Sequence, residues 1–161
     1  MKIKFFSVGG TIDKVYFDAL SRYEIGDPNI KDILQNARVN FDYEIESLLK
    51  KDSLDMTAQD RLIVLKAVQN ELNDKIIITH GTDTMIETAT ALSPIKGKTI
   101  VLTGAMEPAK FKSSDAVFNL GSAVAAVQIL PFGVYLAISG KIFTPDNVQK
   151  NRDRKQFEEK M

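Results

Sequence analysis

Four segments are apolar almost throughout: IKFFSV (3–8), KIIITH (75–80), KTIVLTGA (98–105) and GVYLAISG (133–140). A strand with one face in water alternates polar and apolar residues, so the lack of alternation means that both faces are covered. Between these runs lie stretches with helical spacing. In PNIKDILQNA, Pro28 opens a helix carrying Ile30, Ile33 and Leu34, and in DMTAQDRLIVLKAVQNEL, Thr57 is placed to cap a long amphipathic helix. A further helix is expected from about Asp83 to Leu92, and another over 113–130, which is rich in small residues. VNFDYEIESLL (39–49) alternates, as a strand with one buried face does. Doubly covered strands alternating with helices predict an α/β fold: a doubly wound, mainly parallel sheet with helices on both faces, in a single domain over residues 1–161. Residues 11–28 read as loop, and NRDRKQFEEKM as a terminal helix or frayed end.

A chain of 161 residues can bury a real core without covalent help. It has no cysteine, which excludes disulfides, thiolate metal sites and a cysteine nucleophile, and its one histidine argues against a protein-built zinc site. No cofactor is therefore expected. Twenty-one basic residues balance 21 acidic ones, so nucleic acid and anionic lipid are not expected partners. No run is long enough for a membrane span, and the first apolar stretch is too short for a signal peptide, so the cytoplasm is the expected location.

In open α/β sheets ligands bind beyond the carboxyl ends of the strands. Four polar segments fall there: GGTI (9–12), KDSLDM (51–56), THGTDT (79–84) and TGAMEP (103–108). Gly9, Gly10, Gly81 and Gly104 would let the backbone turn sharply beside a ligand. Thr11 follows a glycine pair at the tip of the first strand, where it is either an exposed nucleophile or a turn residue. The pattern matches no phosphate-binding loop. Thr82 or Asp83 could simply cap the next helix, yet a helix N-terminus would also keep Asp83 ionised. Asp83 could then hold a substrate ammonium or polarise Thr82. The lone His80 invites a Ser/His/Asp-type triad, but its place at a strand end fits a structural role at least as well.

GGTI, THGTDTM, GAMEP and SSDAVFNL, in this order and spacing, resemble the bacterial-type L-asparaginase family over nearly the whole chain. The resemblance implies an amidohydrolase that works through threonine, splitting L-asparagine into L-aspartate and ammonia by way of an acyl-enzyme. It makes Thr11 the nucleophile, Thr82 and Asp83 the second hydroxyl and its carboxylate, and Lys150, in DNVQKN, their basic partner. Without it, Lys150 reads as a solvated residue in a charged tail. It also implies a lid over the site bearing Tyr23, with Tyr16 as the alternative. Ser53 would hold the substrate α-carboxylate, and Gly10 and Gly81 would line the substrate's place.

Two departures from the family pattern bear on function. Leu54 stands where a glutamine usually follows the serine, so one hydrogen bond to the substrate is lost or replaced. Family members are also about twice as long; their second domain is expected to be absent here, leaving Asp83 as the main group for the substrate ammonium. Apolar surface so exposed favours a homo-oligomer. The alternatives are a glutaminase or other small-amide hydrolase, and a catalytically weak, amino-acid-binding relative. An amidotransferase subunit is a further option, but no basic patch for tRNA is visible.

Overall fold

The computed structural model of the protein describes residues 1–161. In chain order it comprises strand β1 (Lys2–Gly9), a hairpin of β2 (Lys14–Phe17) and β3 (Arg22–Ile25), and helix α1 (Ile30–Asn36). Then follow β4 (Asp42–Lys51), α2 (Ala58–Asn70), β5 (Lys75–Thr79), α3 (Met85–Leu92), β6 (Thr99–Thr103) and α4 (Ala116–Ile129). The chain closes with β7 (Gly133–Ile138), β8 (Lys141–Phe143) and a hairpin of β9 (Gln149–Asn151) and β10 (Gln156–Glu158). The main sheet has six strands in the order β4-β1-β5-β6-β7-β8. All neighbours in it are parallel except β7 and β8.

The continuous apolar runs divide their side chains between two cores. Ile3 and Phe5 of β1, Ile77 of β5 and Val101 of β6 pack with Ile30 and Leu34 of α1 and with Leu120, Ala123 and Val127 of α4. Phe6, Val8, Ile76, Ile78, Ile100 and Leu102 point the other way, against Val64 and Val68 of α2 and Met85, Ala89 and Leu92 of α3. This is the expected doubly wound sheet. Truncating Phe5 or Phe6, each essentially inaccessible, to alanine would cost about 3–5 kcal/mol.

Thr57 caps α2 as expected. Its hydroxyl accepts from the Asp60 N–H at 3.2 Å while the Asp60 carboxylate accepts from the Thr57 N–H at 2.9 Å, a reciprocal box worth about 1 kcal/mol.

The expected loop over 11–28 is a correction: much of it is the β2–β3 hairpin, with Tyr16 opposite Tyr23. The terminal helix or frayed end is also replaced, by the β9–β10 ribbon. Both are ribbons whose strands run only three or four residues, too short to show the periodicity that marks a core strand. No helix is long and apolar enough to cross a membrane.

The strand order positions the site. From β1 the chain moves to β4 on one side, then returns to β5 on the other. The winding therefore reverses between β1 and β5, and a crevice opens at their carboxyl ends. GGTI and THGTDT are the segments that leave those two ends.

Candidate active site

At the crevice, backbone meets backbone. Gly10 has φ 90°, and a Cβ built on it would stand 2.5 Å from the Cα of Gly81. Only glycine allows this conformation and this approach without strain. Gly81 is pressed in turn against Ser53, whose Cβ and Oγ would lie 2.7 Å from an added Cβ. Three segments are thereby locked together: the β1 exit with Thr11, the β5 exit with Thr82 and Asp83, and the turn after β4 with Ser53.

Neither Thr82 nor Asp83 caps α3. The helix begins at Met85, the N-cap position belongs to Thr84, and the Thr84 hydroxyl donates to the Ser53 carbonyl at 2.8 Å. Thr82 and Asp83 are thus free of helix duty. The N–H groups of Gly81, Thr82 and Asp83 donate to no group of the chain, leaving donors for a developing oxyanion.

Lys150 reaches this turn from the far end of the sequence. Its Nζ donates to Thr82 Oγ1 and to Asp83 Oδ1, each at 2.8 Å. The ribbon explains the reach. Lys150 lies directly opposite Phe157, and residues opposed in an antiparallel pair point the same way. Phe157 is buried in the core shared by α3 and β7, so it pulls Lys150 inward. The lysine side chain is 16% exposed, which corrects its reading as a solvated tail residue.

Arg152, two residues on, donates from Nη1 to the same Asp83 Oδ1 at 2.9 Å. Partial burial pushes the Asp83 carboxyl up. The hydrogen bond and charge of Lys150, joined by those of Arg152, outweigh it and hold the pKa below the ordinary aspartate value. Sequence reasoning missed Arg152. It carries no motif and lies in the turn just past β9, where only the ribbon's path brings it to Asp83.

Thr11 opens a short 3-10 turn, half-buried, and its hydroxyl makes no hydrogen bond within the chain. The turn is held from behind by Asp13, a residue that sequence reasoning also missed. Its fully buried carboxylate accepts from the Ser7 hydroxyl at 3.0 Å and from the Asn29 N–H at 2.8 Å. Burial pushes the Asp13 carboxyl up to about 6 against these hydrogen bonds.

His80 is inaccessible to solvent. Nδ1 lies 2.7 Å from the Gly81 carbonyl and Nε2 lies 2.7 Å from the Thr88 hydroxyl. A carbonyl only accepts, so Nδ1 carries the proton and Nε2 accepts from Thr88. Burial is the main cause that lowers its pKa to about 4. A neutral imidazole with both nitrogens engaged, and no serine or carboxylate on either, is a brace for the 80–88 turn.

Ser53 is 1% exposed, and its Oγ accepts from the Thr84 N–H at 3.2 Å, leaving the hydroxyl proton free to donate. Leu54 beside it is exposed. Tyr16 and Tyr23 pack on each other with ring centroids 5.4 Å apart, and Tyr23 also packs on Phe111 at 5.7 Å. Both rings are about half exposed, and neither hydroxyl is hydrogen-bonded. Gly104 closes the cluster through the turn after β6, which Asp115 fastens by accepting from the Met106 N–H at 3.0 Å. No group of three or more His, Cys, Asp or Glu side chains is arranged to hold a metal ion.

The sequence profile described as "Asparaginase, N-terminal" matches residues 2–158. The chain is 33% identical over 165 residues to the L-asparaginase of Thermococcus kodakarensis, covering 93% of this chain and 48% of that protein. The solved structure of the thermostable L-asparaginase from that organism superposes with a TM-score of 0.82 at 31% identity, over 99% of this chain and 51% of that one. A probable cytoplasmic L-asparaginase from Campylobacter jejuni gives 0.81 at 32% identity, over 98% and 51%. A glutaminase-asparaginase from Acinetobacter glutaminasificans is 37% identical over 110 residues, covering 65% of this chain and 32% of that protein. The chain thus spans about half the length, or less, of the relatives it matches.

Proposed function

The chain belongs to the asparaginase family, and from that membership we propose that it hydrolyses the side-chain amide of L-asparagine, giving L-aspartate and ammonia, with Thr11 as the nucleophile. The observation that carries this reading is Lys150, which bridges Thr82 and Asp83 at the strand end adjoining that of Thr11. In the proposed reaction Thr11 Oγ attacks the amide carbon and the C–N bond breaks. Ammonia leaves with the proton taken from the attacking hydroxyl, and an acyl-threonine remains. Water then attacks that ester, returning its proton to Thr11 and releasing the acid.

Thr82 and Lys150 suit proton transfer in these steps. A lysine accepts a proton only as the neutral amine, and Asp83 Oδ1, 2.8 Å away, is the acceptor that can share the lysine's own proton. The unpartnered N–H groups at 81–83 suit the oxyanion, where one donor can lower the barrier by about 3 kcal/mol. Ser53 retains a donor for a substrate carboxylate, and Tyr23, on the hairpin that follows Thr11, suits a lid. No metal or organic cofactor takes part in this scheme.

Similarity to the Acinetobacter glutaminase-asparaginase favours L-glutamine as the second substrate within the same class. Ammonia release from L-asparagine at high concentration tests the activity, and L-glutamine, D-asparagine and simple amides in its place sort the substrates. No ammonia from any of them would leave a binding protein in place of a hydrolase.

A further inference from the structure

Asp83 is the one carboxylate at the Thr82–Lys150 cluster, and it is already occupied. Lys150 and Arg152 both donate to Oδ1, at 2.8 and 2.9 Å. Two cations against one carboxylate leave a positive charge over. No second carboxylate absorbs it, because Lys150 and Arg152 each make their one ion pair with Asp83. The Arg152 side chain is 66% exposed and makes this one hydrogen bond, so most of its N–H donors are free. Leu54, 64% exposed beside Ser53, offers no polar group.

We infer that Arg152 is a specificity residue which takes the Asp83 carboxylate away from a substrate ammonium and turns the site toward anionic amides, the monoamides of dicarboxylic acids that lack an α-amino group. An α-amino acid amide brings an ammonium that has to displace Arg152 from Asp83 or stand beside it as a third cation. Succinamate, which is L-asparagine without its amino group, brings only the negative charge that balances the cluster. A guanidinium fork suits the free carboxylate of such a substrate. The cleavage of these amides rests on the hydrolase reading above; their recognition does not.

The experiment compares kcat/KM for succinamate and L-asparagine in the wild type and in Arg152→Gln, and measures calorimetrically the binding of the two product acids, succinate and L-aspartate. Arg152 is exposed, so its replacement should leave the fold intact, which a melting curve checks. The wild type should favour succinamate by about tenfold or more. Arg152→Gln should reduce that ratio at least tenfold, through KM more than kcat, and succinate should bind more tightly than L-aspartate only when Arg152 is present. If neither amide is cleaved but the succinate preference and its loss in Arg152→Gln are seen, the hydrolase reading fails and the specificity inference stands. A wild type that favours L-asparagine or L-aspartate, or a preference unmoved by Arg152→Gln, overturns the inference.

Discussion

Lys150 satisfies two acceptors with one ammonium group, so removing it leaves Thr82 without a partner and Asp83 held by Arg152 alone. Lys150→Met keeps much of the side-chain volume beside Phe157 and deletes only the proton-carrying group. Ammonia release should fall by about 10²–10⁴-fold, the usual worth of a positioned acid–base group, with the melting temperature little changed. Activity within a few fold of wild type would remove Lys150 from the chemistry. His80 should behave in the opposite way. In His80→Gln the amide can donate to the Gly81 carbonyl and accept from Thr88, so activity should stay within about tenfold. Near-complete loss in a folded variant would restore the histidine as a base. These residues were legible to different degrees. THGTDTM pointed to Thr82 and Asp83 directly, whereas Arg152 and Asp13 carry no motif and gain their roles only from what the fold sets against them.

At the level of elements, two buried titratable groups brace the strand exits with opposite pH dependence. Asp13 has a folded pKa of about 6, above its ordinary 3.8. It contributes stability fully below the unfolded value and loses that contribution as pH rises through 6. His80 has a folded pKa of about 4, below its ordinary 6.5. Its contribution is complete above the unfolded value and is lost as pH falls through 4. Each shift is worth roughly 3 kcal/mol, so the two largely cancel between pH 4 and 6.5 in the wild type. Denaturant melts across that window should show Asp13→Asn losing stability as pH falls and His80→Gln gaining it. Parallel, flat profiles in both variants would contradict these assignments. The elements of the main sheet were legible because strands covered on both faces must be apolar throughout. The two hairpins were not, since strands of three or four residues are too short to show a period. That is why Lys150 looked like a tail residue until Phe157 fixed its strand.

For the whole molecule, the doubly wound topology decides where chemistry can occur, because the reversal between β1 and β5 brings Thr11 and Thr82 to adjoining strand ends. Large apolar side chains remain on the outside, among them Val117, Phe118 and Ile129 of α4 and Phe132 just beyond it. Exposed apolar surface of this kind favours association, and sedimentation of the pure chain should give a species heavier than the 17.9 kDa monomer. A monomer at micromolar concentration would refute that expectation. The family's likeness and the fold were both readable from the sequence, while the crowding of Asp83 by two cations needed the full arrangement of the chain. In the proposed reaction Thr11 carries the acyl group during amide hydrolysis. Rapid acid quench during turnover, followed by peptide mass analysis, tests it most directly. An acyl adduct is expected on the peptide containing Thr11, absent in Thr11→Ala together with ammonia release; undiminished ammonia release by Thr11→Ala would rule that role out.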